Sequence, residues 1–126
     1  MVRVPHSSGL LEGRFTRETS FSEKDHRFFR VNTDERKKEW LEDGLKKVEA
    51  IRFLVEGTGR TLGQAAIQFV LAEPSVACAL PNIYNAEQLE EFAAGADVPA
   101  FTIPELARLA ELYGANFGVA RAAAAT

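Results

Sequence analysis

The sequence has one cysteine, two histidines and no long apolar run, so it lacks the usual basis of disulfide frameworks, metal sites and membrane spans. Cysteine occurs once, as Cys78, so the chain can form neither an internal disulfide nor a paired-cysteine zinc site. No apolar run approaches the roughly 18 residues needed to cross a bilayer. The net charge of −3 indicates no basic surface for nucleic acid or acidic lipid. We therefore expect a cytoplasmic protein with no metal and with neither nucleic-acid nor membrane partners.

Helix signals, by contrast, are frequent, and each begins at a residue that can cap a helix. A capping side chain accepts a backbone N–H of the first turn, which would otherwise lack a partner. Four such residues precede stretches of helical periodicity: Thr33, Thr61, Asn85 and Thr102. Gln64 and Glu105 follow Thr61 and Thr102 by three residues, which predicts a capping box at each. The pattern after Thr33 predicts a helix over residues 33–56, and the one after Asn85 predicts a helix ending near residue 94.

Two apolar segments predict β-strands. Residues 2–5 are followed by a small-residue turn, and residues 75–80 form a non-alternating run typical of a strand buried on both faces. Residues 10–32 have no clean period and predict a long loop. Strands separated by helices imply a parallel sheet, hence an α/β fold that is mostly helical by residue count. Because two strands are too few for such a sheet, we expect part of a larger enzyme.

Four segments resemble motifs of the aldo-keto reductases, in the family's order. The segments are residues 4–15 (PLxxGxLxGKY after the seventh strand), 61–71 (TPAQLALAWLL), 80–91 (IPGxxxPEQLEEN after the eighth strand) and 102–106 (LTPEEL). The resemblance implies an NADP(H)-dependent oxidoreductase on a (β/α)8 TIM barrel. Residues 1–120 would form the C-terminal part of that barrel, with its last two strands and flanking helices, and residues 121–126 a tail.

The resemblance also implies which residues contact the cofactor. They lie in the loops after the two strands: Pro5, Ser7, Ser8, Gly9, Asn82, Ile83, Tyr84, Asn85, Gln88 and Glu91. From the residues alone, the helix beginning near Asn85 can bind an anion, and it can equally be an ordinary turn and cap. Residues 81–91 contain neither Arg nor Lys, although the family usually has a basic side chain beside the 2′-phosphate.

No catalytic residue is predicted, because the Asp, Tyr, Lys and His of the family's tetrad belong to upstream strands and loops. In a complete parent, the reaction would be hydride transfer between NADPH and an aldehyde or ketone. His6 and His26 are interpreted as loop residues without a chemical task, and Trp40 as a core or interface anchor. The alternative hypothesis is a non-catalytic oligomerising or binding module without cofactor, since unpaired strand edges favour self-association.

Overall fold

The computed structural model describes residues 1–121, in which helices predominate over a small parallel sheet. The strands are β1 (Val2–Arg3) and β2 (Ala79–Leu80). The α-helices are α1 (Asp34–Arg36), α2 (Asp43–Ala50), α3 (Leu62–Leu71), α4 (Ala86–Ala93) and α5 (Ile103–Gly114). Short 3₁₀ turns occupy Leu10–Glu12, Phe28–Arg30, Arg52–Leu54, Ala94–Ala96 and Asn116–Gly118. Apart from Arg121, the expected tail lies outside the described residues.

The sheet consists of β1 and β2, paired in parallel as the order of elements predicted. Val2 lies opposite Ala79, and the Val2 N–H donates to the Cys78 carbonyl at 2.9 Å. The strand predicted over residues 75–80 forms only at Ala79–Leu80. Its predicted burial on both faces was wrong, because Leu80 is 52% exposed. Within residues 1–121, β2 pairs with β1 along one edge only.

The predicted helix over residues 33–56 begins where expected but is not one continuous α-helix. The Thr33 side chain accepts the Arg36 N–H at 3.2 Å and caps α1. Lys37–Glu42 then forms a π-helical segment, in which the Asp43 N–H donates to the carbonyl five residues earlier. α2 ends at Ala50, and a 3₁₀ turn follows. The spacing of apolar residues in the sequence did not predict this π-helical segment.

The core lies where the long loop, the π-helical segment, α2 and α3 meet. Its buried members are Leu10, Leu41, Val48 and Leu62. Gly44 permits this packing, because a Cβ at that position would lie 2.6 Å from Leu10 Cδ2. The loop over residues 10–32 is therefore attached to the helices through Leu10 rather than projecting into solvent.

Two clusters of polar side chains attach α4 and α5 to α3 and to the segment that precedes it. The Thr61–Gln64 capping box forms as predicted, and Gln64 Nε2 also donates to the Glu91 carbonyl at 2.8 Å, which joins α3 to α4. Before α3, Arg60 forms a two-bond ion pair with Glu105 in the first turn of α5. None of the helices in residues 1–121 combines the length and apolar character needed to cross a membrane.

Candidate functional site

The loops that follow β1 and β2 leave the sheet at the same edge, because parallel strands present their carboxyl ends together. Between these loops lies a groove of about 650 Å³, here called the edge groove. It is lined by Arg3, Val4, Ser8, His26, Arg30, Leu80, Pro81, Asn82, Ile83 and Tyr84. Backbone, aromatic and basic groups therefore meet in one depression on the surface.

The loop after β1 has a left-handed backbone at several positions. Val4, Ser7, Ser8 and Gly9 have φ values of 53°, 50°, 58° and 97°. A β-branched residue such as Val4 rarely adopts positive φ, and residues held in such conformations are concentrated at functional sites. The turn is closed by hydrogen bonds from the Gly9 and Leu11 N–H groups to the His6 carbonyl, at 3.2 and 3.0 Å.

His6 fixes this loop on α3 and α4. Its side chain is buried, its ring stacks on Phe92 with 4.5 Å between centroids, and Nε2 lies 2.8 Å from the Gly63 carbonyl oxygen. Because a carbonyl oxygen only accepts, Nε2 carries the hydrogen. His6 is thus engaged in packing and in holding this loop on the two helices.

Gln88 connects the loop after β2 to the loop after β1. The Asn85 side chain accepts the Gln88 N–H at 2.9 Å, which caps α4 as predicted. The Gln88 amide accepts the Tyr84 N–H at 2.7 Å and donates to Glu12 at 2.8 Å. Both loops are therefore held in one fixed arrangement beside the edge groove.

The residues expected to contact the cofactor fall into three groups. Four line the edge groove, namely Ser8, Asn82, Ile83 and Tyr84, and Gly9 lies in a small niche with Asn82 and Tyr84. Three serve the internal structure: Asn85 caps α4, Gln88 links the loops, and Glu91 accepts from the Thr61 hydroxyl and pairs with Arg14. Ser7 accepts from the Trp40 indole at 3.3 Å, and Pro5 faces an apolar cavity of about 180 Å³.

Three basic residues of the edge groove, Arg3, His26 and Arg30, were absent from the expected set. They come from β1 and the long loop, and the only signal for the latter two was the run of basic and aromatic residues over 25–30. A further arginine, Arg27, has its guanidinium carbon 4.9 Å from the centre of the Tyr84 ring. Two hydrogen bonds from its guanidinium hold the pKa of the Asp25 carboxyl far below its usual range.

The chain matches one known protein family over most of its length. The model of the aldo/keto reductase family matches residues 1–114. The chain belongs to the aldo/keto reductase family. The match confirms the resemblance of the four motifs and indicates an oxidoreductase-type function, while no curated protein matches the chain. Among residues 1–121, no three His, Cys, Asp or Glu side chains are grouped so that they could hold a metal ion.

Proposed function

We propose that this chain forms the cofactor-binding side of an NADP(H)-dependent aldo-keto reductase barrel. β1 and β2 would correspond to the seventh and eighth strands of that barrel. The observation that carries the proposal is the parallel pairing of these strands, which puts the two motif-bearing loops at one edge. Ligands of βα-barrels bind at that edge, the carboxyl ends of the strands.

The residues of the edge groove fit a phosphorylated dinucleotide. The Tyr84 ring is 50% exposed and offers a flat surface for an adenine. Arg30 lines the same groove, and a guanidinium binds phosphate through paired hydrogen bonds. Asn82 is exposed beside both and can bond a ribose or phosphate. When bound, the nicotinamide cofactor would supply the hydride that reduces an aldehyde or ketone.

In this proposal the chain binds and orients the cofactor, and the proton donor comes from other strands of the barrel. The His6 and Tyr84 side chains of the two loops are already engaged in contacts within the chain. His6 is stacked on Phe92 and bonded to Gly63, and Tyr84 lies beside the Arg27 guanidinium. We accordingly expect the purified chain not to reduce a generic aldehyde with NADPH, and turnover above background would contradict this part of the proposal.

Calorimetric titration of the purified chain with NADP⁺ tests the binding proposal. Base–aromatic stacking contributes about 1–3 kcal/mol, so Tyr84→Ala should weaken binding by about fivefold to about a hundredfold. The chain's second tyrosine provides a matched control, because Tyr113 is 75% exposed on α5, away from the edge groove. Equal effects of Tyr84→Ala and Tyr113→Ala, or no binding by the parent chain, would refute the proposal.

Self-association is the alternative that the exposed apolar side chains favour. Phe69 is 55% exposed, Ile103 is 84% exposed and Tyr113 is 75% exposed, and such surfaces favour contact with another protein surface. On this alternative, sedimentation velocity should show a concentration-dependent increase in mass without any response to NADP⁺. A monomer at all concentrations would exclude it.

A further inference from the structure

The apolar cavity of about 180 Å³ that Pro5 faces lies between α3, α5 and the 3₁₀ turn that ends at Leu54. We call it the helix cavity, and its wall includes Leu54, Leu62, Ala65, Phe69, Leu109 and Phe117. Each described residue that lines it is apolar, and none of them also lines the edge groove. Because no side chain on this wall can form a hydrogen bond with water, the helix cavity favours an uncharged apolar occupant.

The inner wall of the helix cavity is out of reach of a flat protein surface. Leu54, Leu62 and Ala65 are only 3%, 5% and 3% exposed, whereas Phe69 at the rim is 55% exposed. A second copy of the chain could cover the rim, but only a small molecule that enters the cavity can contact the inner wall. An engineered apolar cavity of about 150 Å³ in another protein binds benzene, so the volume here is sufficient for one aromatic ring.

Phe117 lines the helix cavity and also two neighbouring hollows of about 360 and 400 Å³. It belongs to the 3₁₀ turn Asn116–Gly118, whose three residues have φ values of 50°, 54° and 76°. A left-handed backbone is unfavourable for Asn116 and more so for the bulky Phe117. The hydrogen bonds described for this turn stay within residues 115–119, so the packing of Phe117 holds the turn against the helices. Displacement of this one ring would relieve the backbone and join the hollows into a site of the size that small molecules occupy.

We propose that the helix cavity binds an uncharged aromatic molecule and that Phe117 is the lid which this molecule displaces. Three of the lining residues, Phe69, Phe101 and Phe117, are phenylalanines, and aromatic rings pack favourably edge-to-face with one another. The apolar wall excludes a charged ligand, because a buried charge there would have no partner. This site goes beyond the proposed function, since it requires neither the cofactor nor further strands of a barrel.

The first test uses N-phenyl-1-naphthylamine, an uncharged aromatic dye that fluoresces strongly only in apolar surroundings. We expect saturable binding of one dye molecule per chain, displacement of the dye by toluene, and a higher melting temperature with either ligand. Ala66→Leu adds three carbons to a half-buried wall position and should weaken dye binding about fivefold or more. The matched control is Ala107→Leu, which adds the same atoms at an exposed position of α5 outside the cavity and should have no effect.

The second test concerns the lid. Phe117→Ala should strengthen dye binding about threefold or more, because the dye no longer has to displace a ring from the site. Phe29→Ala removes an exposed phenylalanine of the long loop, which does not line the helix cavity, and should leave dye binding unchanged. Circular dichroism and thermal melting verify that each variant is folded. Toluene competition and Phe117→Ala keep the test valid if Ala66→Leu does not fold.

The outcomes separate a ligand site from a surface that another copy covers. Saturable binding that Ala66→Leu weakens, Ala107→Leu leaves unchanged and Phe117→Ala strengthens supports the proposal. Absence of saturable binding, or equal effects of the two leucine variants, overturns it. If Phe117→Ala leaves dye binding unchanged or weakens it, the role of Phe117 as a lid is overturned. If sedimentation velocity shows that dye binding is lost as the chain self-associates, a second copy covers the cavity and the proposal is overturned.

Discussion

Replacing Glu105 by Gln should destabilise the fold through Arg60. The Arg60 side chain is 2% exposed, and its guanidinium donates two bonds of 2.8 Å to the Glu105 carboxylate. These bonds lower the pKa of Glu105 from 4.5 to about 2. At about 1.4 kcal/mol per pKa unit, the ionised form is favoured in the folded state by roughly 3 kcal/mol. Gln keeps the shape and can still form the capping box, so the variant isolates the loss of charge.

Arg60 would not be left without partners, which limits the loss. It also donates to the carbonyls of Pro99 and Leu54, at 2.9 and 2.6 Å, and lies 4.8 Å from the centre of the Phe101 ring. We therefore expect Glu105→Gln to cost about 2–3 kcal/mol at pH 7. For a domain of this size, that corresponds to a decrease in melting temperature of about 10 °C.

The pH dependence provides the decisive assay. A carboxyl whose pKa is lowered by folding stabilises the protein fully above its unfolded value, 4.5, and ceases to do so as the pH falls towards 2. Urea denaturation should therefore show parent and Glu105→Gln converging between pH 4.5 and 2. Glu111→Gln, an exposed position on the same helix, serves as the control. A difference that is absent at pH 7, or unchanged at pH 2, would refute the reasoning.

Five further substitutions test the core packing and the helix cap by urea denaturation. Leu41 is fully buried, so Leu41→Ala should cost about 2–5 kcal/mol, and a cost below about 1 kcal/mol would argue against its place in the core. Gly13 and Gly57 both have positive φ, but only at Gly13 would a Cβ meet a side chain, Leu62 Cδ1 at 2.5 Å. Gly13→Ala should therefore cost roughly 1–3 kcal/mol more than Gly57→Ala, and equal costs would contradict the packing. Thr61→Ala should cost about 1 kcal/mol and Thr61→Ser little, while equal losses would show that the hydroxyl does not act as the cap.

The features predicted correctly from the sequence depend on neighbours within a few residues. The capping boxes headed by Thr61 and Thr102 are local, because each joins residues three positions apart. The parallel relation of β1 and β2 was also predictable, since it follows from the order of strands and helices. The family itself was identifiable from four short motifs, and the match over residues 1–114 confirms it.

The features missed depend on contacts that are distant in sequence. The exposure of Leu80 depends on what covers the second strand, which the apolar run over residues 75–80 could not reveal. The roles of Gln88 and Glu91 depend on partners in the first 61 residues, Glu12, Arg14 and Thr61. The basic lining of the edge groove was missed for the same reason, because its arginines lie far from residues 81–91 in sequence.

The most direct test of the central claim is a map of backbone amide chemical shifts during titration of the isotope-labelled chain with NADP⁺. We expect shifts confined to the two loops and the adjoining basic residues, with Ser8, Asn82, Ile83 and Tyr84 among the largest. The amides of α5, which contributes no residue to the edge groove, should remain unchanged. Shifts concentrated on α5, or none at saturating NADP⁺, would contradict the claim that this edge binds the cofactor.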